Sequence, residues 1–193
     1  MPPFLLTWGS RYTSVMDDES LMIKYREGDA KAFERLYERH KGPLFRYIYR
    51  QTNDSSVAED LFQEIWINLI RSRERYRQTA KFSTYLFRIA HNRLIDYYRS
   101  QKNAIPASYQ DDPELIHTDS RDQPEHQAVI DGQIENLLEL VQKLPEAQRE
   151  AFILKEESGL TLEEIAEVTQ SNRETVKSRL RYAFQKLRSG MKE

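Results

Sequence analysis

Between Arg71 and Arg99 cationic and aromatic side chains alternate. Arg71, Arg73, Arg75, Arg77, Lys81, Arg88, Arg93 and Arg99 are interleaved with Tyr76, Phe82, Tyr85, Phe87, Tyr97 and Tyr98. Cations neutralise a phosphate backbone and flat rings receive unstacked bases, so the mixture suits a single strand of nucleic acid. Stacking contributes about 1–3 kcal/mol per base, on the scale of the roughly 1.4 kcal/mol per step that holds a duplex closed. Some of these side chains belong to a core instead: Leu86, Phe87, Ile89 and Ala90 share one helix face. Tyr97 and Tyr98 are neighbours and cannot both point inward, so at least one is expected at the surface. Asn92 and Asp96, one helical turn apart, are placed to cap or pair locally.

A second cationic group follows near the C-terminus. Asn172, Arg173, Glu174, Lys177, Ser178 and Arg181 fall on the exposed face of a helix that Asn172 would cap. The preceding segment, from Thr161, is a short capped helix with Glu164 at the capping-box position. Ala166 is small where two helices would cross, and Ile165, Val176 and Leu180 would fill the angle between them. A short helix, a tight turn and a longer basic helix form a helix-turn-helix, whose second helix enters the major groove. An ordinary amphipathic helix with a solvated basic face would share part of this pattern.

No catalytic constellation accompanies these patches. His40, His91, His117 and His126 lack metal-ligand spacing, there is no cysteine, and neither GxxxxGK[ST] nor GxGxxG occurs. Paired carboxylates such as Asp17-Asp18 and Glu163-Glu164 read as helix-start charges. The expectation is a binding protein, not an enzyme, with no catalytic residue, metal or cofactor.

The elements that must position the two patches are helical. Apolar residues recur at helical spacing from Asp17 to Lys102 and again from Ile134 onward. Asp29 is an N-cap, Gly42-Pro43 a break or kink, and Asn53-Asp54-Ser55 a turn and cap. A long amphipathic helix then carries Val57, Leu61, Ile65 and Leu69. Arg71 to Lys81 breaks the period and reads as a loop, and Ser83 starts the next helix. Pro145 and Gly159 punctuate the C-terminal part. With six glycines and seven prolines in 193 residues, a turn-rich β fold is disfavoured. The predicted class is all-α, with two small helical domains at 17–102 and 131–190. Residues 1–16 are expected to be a disordered extension, or to lie ahead of a true start at Met16.

Net charge is only -2, against the basic balance usual for nucleic-acid binding. Its distribution resolves the conflict. Residues 71–102 hold nine Lys/Arg against two acids, and 173–193 hold seven against two. Between them, 103–136 hold eight acids and one Arg. With Pro106, Pro113 and Pro124, the stretch 103–130 is predicted to be a flexible acidic linker. No apolar run reaches the roughly 20 residues of a membrane span, and the lack of cysteine fits a cytoplasmic protein.

These residues carry a family resemblance. Ala58-Glu59-Asp60-Leu61-Phe62-Gln63-Glu64-Ile65-Trp66 resembles the acidic motif by which the second domain of sigma factors docks on the polymerase clamp helices. Phe82-Ser83-Thr84-Tyr85-Leu86-Phe87-Arg88-Ile89-Ala90-His91-Asn92, followed by Asp96, resembles their promoter-melting segment. Leu144-Pro145-Glu146-Ala147-Gln148-Arg149-Glu150-Ala151-Phe152, followed by Thr175-Val176-Lys177-Ser178-Arg179-Leu180, resembles the fourth sigma domain. In this order the three motifs are similar to the extracytoplasmic-function (group IV) factors of the sigma-70 family. The resemblance implies polymerase binding through Glu59, Asp60, Gln63, Glu64 and Trp66. It implies capture of a minus-ten single strand by Arg73, Arg75, Tyr76, Lys81, Phe82, Tyr85, Arg88 and Asn92. The minus-thirty-five duplex would be read by Asn172, Arg173, Glu174, Lys177, Ser178 and Arg181, with the fourth domain also contacting the polymerase flap. Implied partners are core RNA polymerase, promoter DNA and an anti-sigma factor. Two positions depart from the family: Gln170 stands at a turn position usually held by Gly, with Ser171 after it, and Tyr85 stands where Trp is common. A helix-turn-helix regulator acting without polymerase remains the alternative; it explains the C-terminal half alone.

Overall fold

The structure is a computed structural model that describes residues 16–104 and 130–191. The expected extension and most of the expected linker lie outside the described residues. Every regular element among those described is helical, as the spacing predicts.

Helix α1 (Asp18–Arg26) starts where the Asp17 carboxylate accepts the Ser20 amide, and buries Leu21, Met22 and Tyr25. Helix α2 (Ala30–Thr52) is capped by Asp29, which accepts from the amides of Lys31 and Ala32. Of the break or kink expected at Gly42-Pro43, the structure excludes the break: α2 runs through Pro43. Proline deletes one helical hydrogen bond, and here Leu36 on one side and Leu44, Tyr47 and Ile48 on the other are buried and keep both halves of α2 in the core. Asn53, in the left-handed conformation, ends α2, and Asp54 caps α3 (Ser55–Ser72) through the Val57 amide.

A short 3-10 turn (Arg73–Arg75) and an irregular stretch then lead to α4 (Phe82–Ala104). The amide of Phe82 donates to the Glu19 carboxylate at 2.7 Å, so a side chain of α1 caps α4. The core of this unit is strongly aromatic. Trp66 packs edge-on against Phe33 and at 5.0 Å from Tyr37, and Tyr47 meets Phe87 edge-on.

The second unit comprises α5 (Ile130–Gln142), α6 (Glu146–Glu156), α7 (Leu162–Val168) and α8 (Arg173–Gly190). Gly159, at φ +63°, lets the chain turn out of α6. Thr161 and Glu164 form the reciprocal capping box of α7, and Asn172 caps α8 through the Thr175 amide. Ile165, Ala166, Val176 and Leu180 are buried at the crossing, as the helix-turn-helix pattern requires. Gln170 adopts φ +50°, the left-handed geometry that glycine takes freely. The turn therefore keeps its shape despite the departure in sequence.

Candidate nucleic-acid interface

Helix α8 presents its polar face to solvent as the spacing predicts. Asn172, Arg173, Glu174, Lys177 and Arg181 are exposed and Ser178 is half-buried. The opposite face carries Val176, Leu180, Ala183 and Leu187 into the core. Arg173 Nε donates to Glu163 at 2.6 Å, and this bond holds the guanidinium above its ordinary pKa. The fork is thus held at the start of the helix, where a base edge would be met. Arg181 lies against the Tyr182 ring, 4.9 Å from its centroid.

The first patch divides. Arg73, Arg75 and Lys81 are exposed, with Asn92 exposed one turn beyond half-buried Arg88. Tyr85 is half-buried; its hydroxyl shares a 2.8 Å hydrogen bond with Ser72, and Arg88 lies 5.9 Å from its ring centroid. Tyr76 and Phe82 do not join them. Both are sealed in the core at 1% and 0% exposure, which corrects the expectation that their rings face a strand. Tyr76 turns inward because the 3-10 turn folds residues 73–76 back on α1, and burial pushes its phenol up to about 12. Phe82 turns inward beside His40, 5.1 Å between ring centroids, when Glu19 draws its amide toward α1. Neither Tyr97 nor Tyr98 is fully exposed. The Tyr98 hydroxyl donates to the carbonyl of Gln51 at 2.7 Å, and the two rings meet edge-on, so each is half-covered.

On α3, Glu59, Asp60 and Gln63 form an exposed acidic face. Glu64 is partly covered and paired with Arg93. Trp66 is 5% exposed within the aromatic core, so it supports this face from beneath and does not lie on it. On the second unit an apolar groove of about 430 Å³ is lined by Leu137, Phe152, Phe184, Leu187 and Met191.

Comparison with known proteins assigns both units. The family models for Sigma-70 region 2 and Sigma-70 region 4 match residues 36–104 and 134–187. The chain is 32% identical to the ECF RNA polymerase sigma-E factor of Haemophilus influenzae, over 86% of this chain and 90% of that one. It is 30% identical to the ECF RNA polymerase sigma factor SigW of Bacillus subtilis, over 90% of this chain and 98% of that one. The chain belongs to the extracytoplasmic-function sigma factors of the sigma-70 family. Its fold is shared with the sigma factor RpoE of Bartonella quintana, solved in complex with the anti-sigma factor NepR, at a TM-score of 0.71 and 21% identity, covering 84% of this chain and 98% of that one.

Several residues of this sigma factor escaped the sequence reading. The carboxylate of Glu150 on α6 accepts from the Tyr47 hydroxyl at 2.8 Å and lies 2.6 Å from His91 Nδ1, joining the two units. Burial, with Glu150 beside it, raises the Tyr47 phenol well above its ordinary value. Glu157 binds Arg46 and Arg50 at 2.5 and 2.7 Å. Glu164, read only as a cap, also takes Lys81 at 2.8 Å. Burial opposes its ionisation, but Lys81 and the Thr161 amide outweigh that and hold its carboxyl below the ordinary 4.5. Glu167 reaches Arg88 at 3.3 Å, and Gln170 donates to Asn92 at 3.3 Å. Residues 137–172 hold eight glutamates against three Lys/Arg, which is a visible signal, but spacing alone does not say which cations they meet.

Proposed function

We propose that this sigma factor directs core RNA polymerase to specific promoters and assists their opening, and that it performs no bond chemistry of its own. The observation that supports the reading is the separation of two cationic faces on two helical units. One, on α8, is a helix of groove-reading form. The other, from Arg73 to Asn92, combines exposed cations with a half-buried ring, the mixture that an unpaired strand requires. Residues 17–102 then serve as sigma domain two and 131–190 as sigma domain four, with the acidic stretch 103–130 between them.

Minus-ten capture is assigned to Arg73, Arg75, Lys81, Tyr85, Arg88 and Asn92, with Tyr76 and Phe82 shaping the edge from within. Minus-thirty-five reading is assigned to Asn172, Arg173, Glu174, Lys177, Ser178 and Arg181. Glu59, Asp60, Gln63 and Glu64 face the clamp helices, and the apolar groove of domain four is suited to the flap, since large exposed apolar patches mark interaction sites. The chain works in the cytoplasm as a group IV factor. An anti-sigma factor is its expected regulator, because the Bartonella fold neighbour was solved bound to one.

A regulator that binds duplex DNA without polymerase would explain α8 but leaves the exposed acidic face of α3 without a task. Core polymerase supplied with this chain and a promoter library should yield new specific transcripts; none from any template overturns the reading. Glu59→Lys with Asp60→Lys should weaken co-elution with core polymerase at least tenfold. Unchanged co-elution would move the docking surface elsewhere.

A further inference from the structure

We propose that helix α1, which carries none of the residues assigned above to DNA or polymerase, sets the aim of the strand-capturing segment, with Glu19, Tyr25 and Arg26 as its positioning residues. The inference deepens the strand-capture reading and rests on it. Each of these side chains holds a different part of the segment. The Glu19 carboxylate accepts the Phe82 amide at 2.7 Å. Arg26 donates to the carbonyl of Tyr76 at 3.3 Å. The guanidinium of Arg73 lies 5.7 Å from the centroid of the Tyr25 ring. The 3-10 turn is thus fixed at both ends, by Arg73 and Tyr76, and α4 at its first residue.

The segment needs such a support because it does not fix its own shape. Residues 77–81 form no regular element. Fully extended, the stretch from Tyr76 to Phe82 would reach about 20 Å. Glu19 and Arg26 stand two turns apart on α1, about 10 Å along its axis, so two anchors on a rigid rod gather a slack loop to a set span. The start of α4 has the same need. Lys81, the residue before Phe82, has no side-chain acceptor and cannot cap the helix, so the acceptor comes from α1. The rod is itself held. Leu21, Met22 and Tyr25 are buried, Tyr25 packs 4.8 Å from Phe33 on α2, and Asp18 binds His40 at 2.7 Å. The consequence lies in selectivity. The number of cations sets affinity for a phosphate backbone of any sequence. The distance from Arg73 and Arg75 to Lys81, and the direction of the Tyr85 ring on the first turn of α4, decide which bases can be seated between them.

The test separates retention of a strand from choice among strands. Holoenzyme assembled from core RNA polymerase and the full chain is offered a random pool of 12-nucleotide single strands. Total retention is measured and the bound fraction is sequenced. The unaltered chain should enrich one set of sequences at least tenfold over the pool. Glu19→Ala with Arg26→Ala should retain the unsorted pool within twofold of the unaltered chain and lose at least fivefold of that enrichment. Tyr25→Leu stays apolar beneath Arg73 but offers no ring face, and should lose at least twofold. Glu19→Gln, whose amide oxygen still accepts from Phe82, should keep the enrichment within twofold. Unchanged enrichment in the alanine variant overturns the positioning role alone. Retention and enrichment falling in equal proportion, with earlier thermal unfolding, would mean that α1 only holds the fold, and overturns it as well. A glutamine variant as unselective as the alanine one overturns the Phe82 bond as an anchor. If the unaltered chain enriches no strand, strand capture itself fails and the role of α1 falls with it.

Discussion

The two cationic regions differ in how their side chains are aimed. On α8 every candidate after the Asn172 cap sits on one regular helix, and the 3.6-residue period alone fixes which way each points. From Arg73 to Asn92 the candidates straddle a 3-10 turn, an irregular stretch and a helix start, so aim is set by what the neighbouring helices demand. The first kind of site is local and the second is tertiary. In the second, the cations stay out because solvation holds them there, while the aromatic rings go wherever apolar surface is available.

The sharpest way to break this contrast is to truncate a ring on each side. Phe82→Ala should destabilise domain two by about 3–5 kcal/mol, as for other buried aromatics, whereas Tyr182→Ala on exposed α8 surface should shift stability by less than about 1 kcal/mol. Thermal unfolding checks both, and a stable Phe82→Ala protein that has merely lost strand affinity would return that ring to the DNA face. Next in size, Arg173→Ala or Lys177→Ala should weaken duplex binding by about 1–3 kcal/mol if the contact is bidentate to a base, with melting behaviour unchanged. A loss spread evenly over all sequences would reassign the contact to phosphate, and no loss would move the recognition face.

A smaller effect is expected at the turn. Gln170→Gly should stabilise domain four by about 1 kcal/mol, since a side chain in the left-handed region is strained; denaturant titration reads the change. Destabilisation instead would mean that the Gln170–Asn92 bond outweighs that strain. The smallest effect is on pH. The Glu164 carboxyl is held below its ordinary 4.5 in the folded chain, so its contribution is complete above that value and is lost as pH falls through the lowered one. The contact with Lys81, whose ammonium is favoured first by Glu164 and also by the Glu19 carboxylate, should loosen on acidification below about 4.5. Scattering as a function of pH would show it, and dimensions constant down to pH 3 would count against it.

Most of the fold was legible because its signals are short in range. Asp29, Asp54, Thr161 and Asn172 each cap the helix that their spacing announced. The helix is not broken at Pro43 because burial on both sides of it outweighs the proline's local cost. The exposed polar face of α8 was legible for the same reason as the caps. Tyr76 and Phe82 were not, since their burial depends on α1 and His40, distant in sequence. The contacts of Glu150 and Glu157 were invisible, because no periodicity reports which glutamate meets which distant side chain across 59 to 111 residues.

The bond from the Phe82 amide to Glu19 has a bearing on how the protein is made. Synthesis proceeds from the N-terminus, so the carboxylate that fixes the start of α4 has left the ribosome well before its amide partner emerges. A product initiated internally, beyond Glu19, would contain every cation from Arg73 to Arg99 and still present them from a frayed helix start.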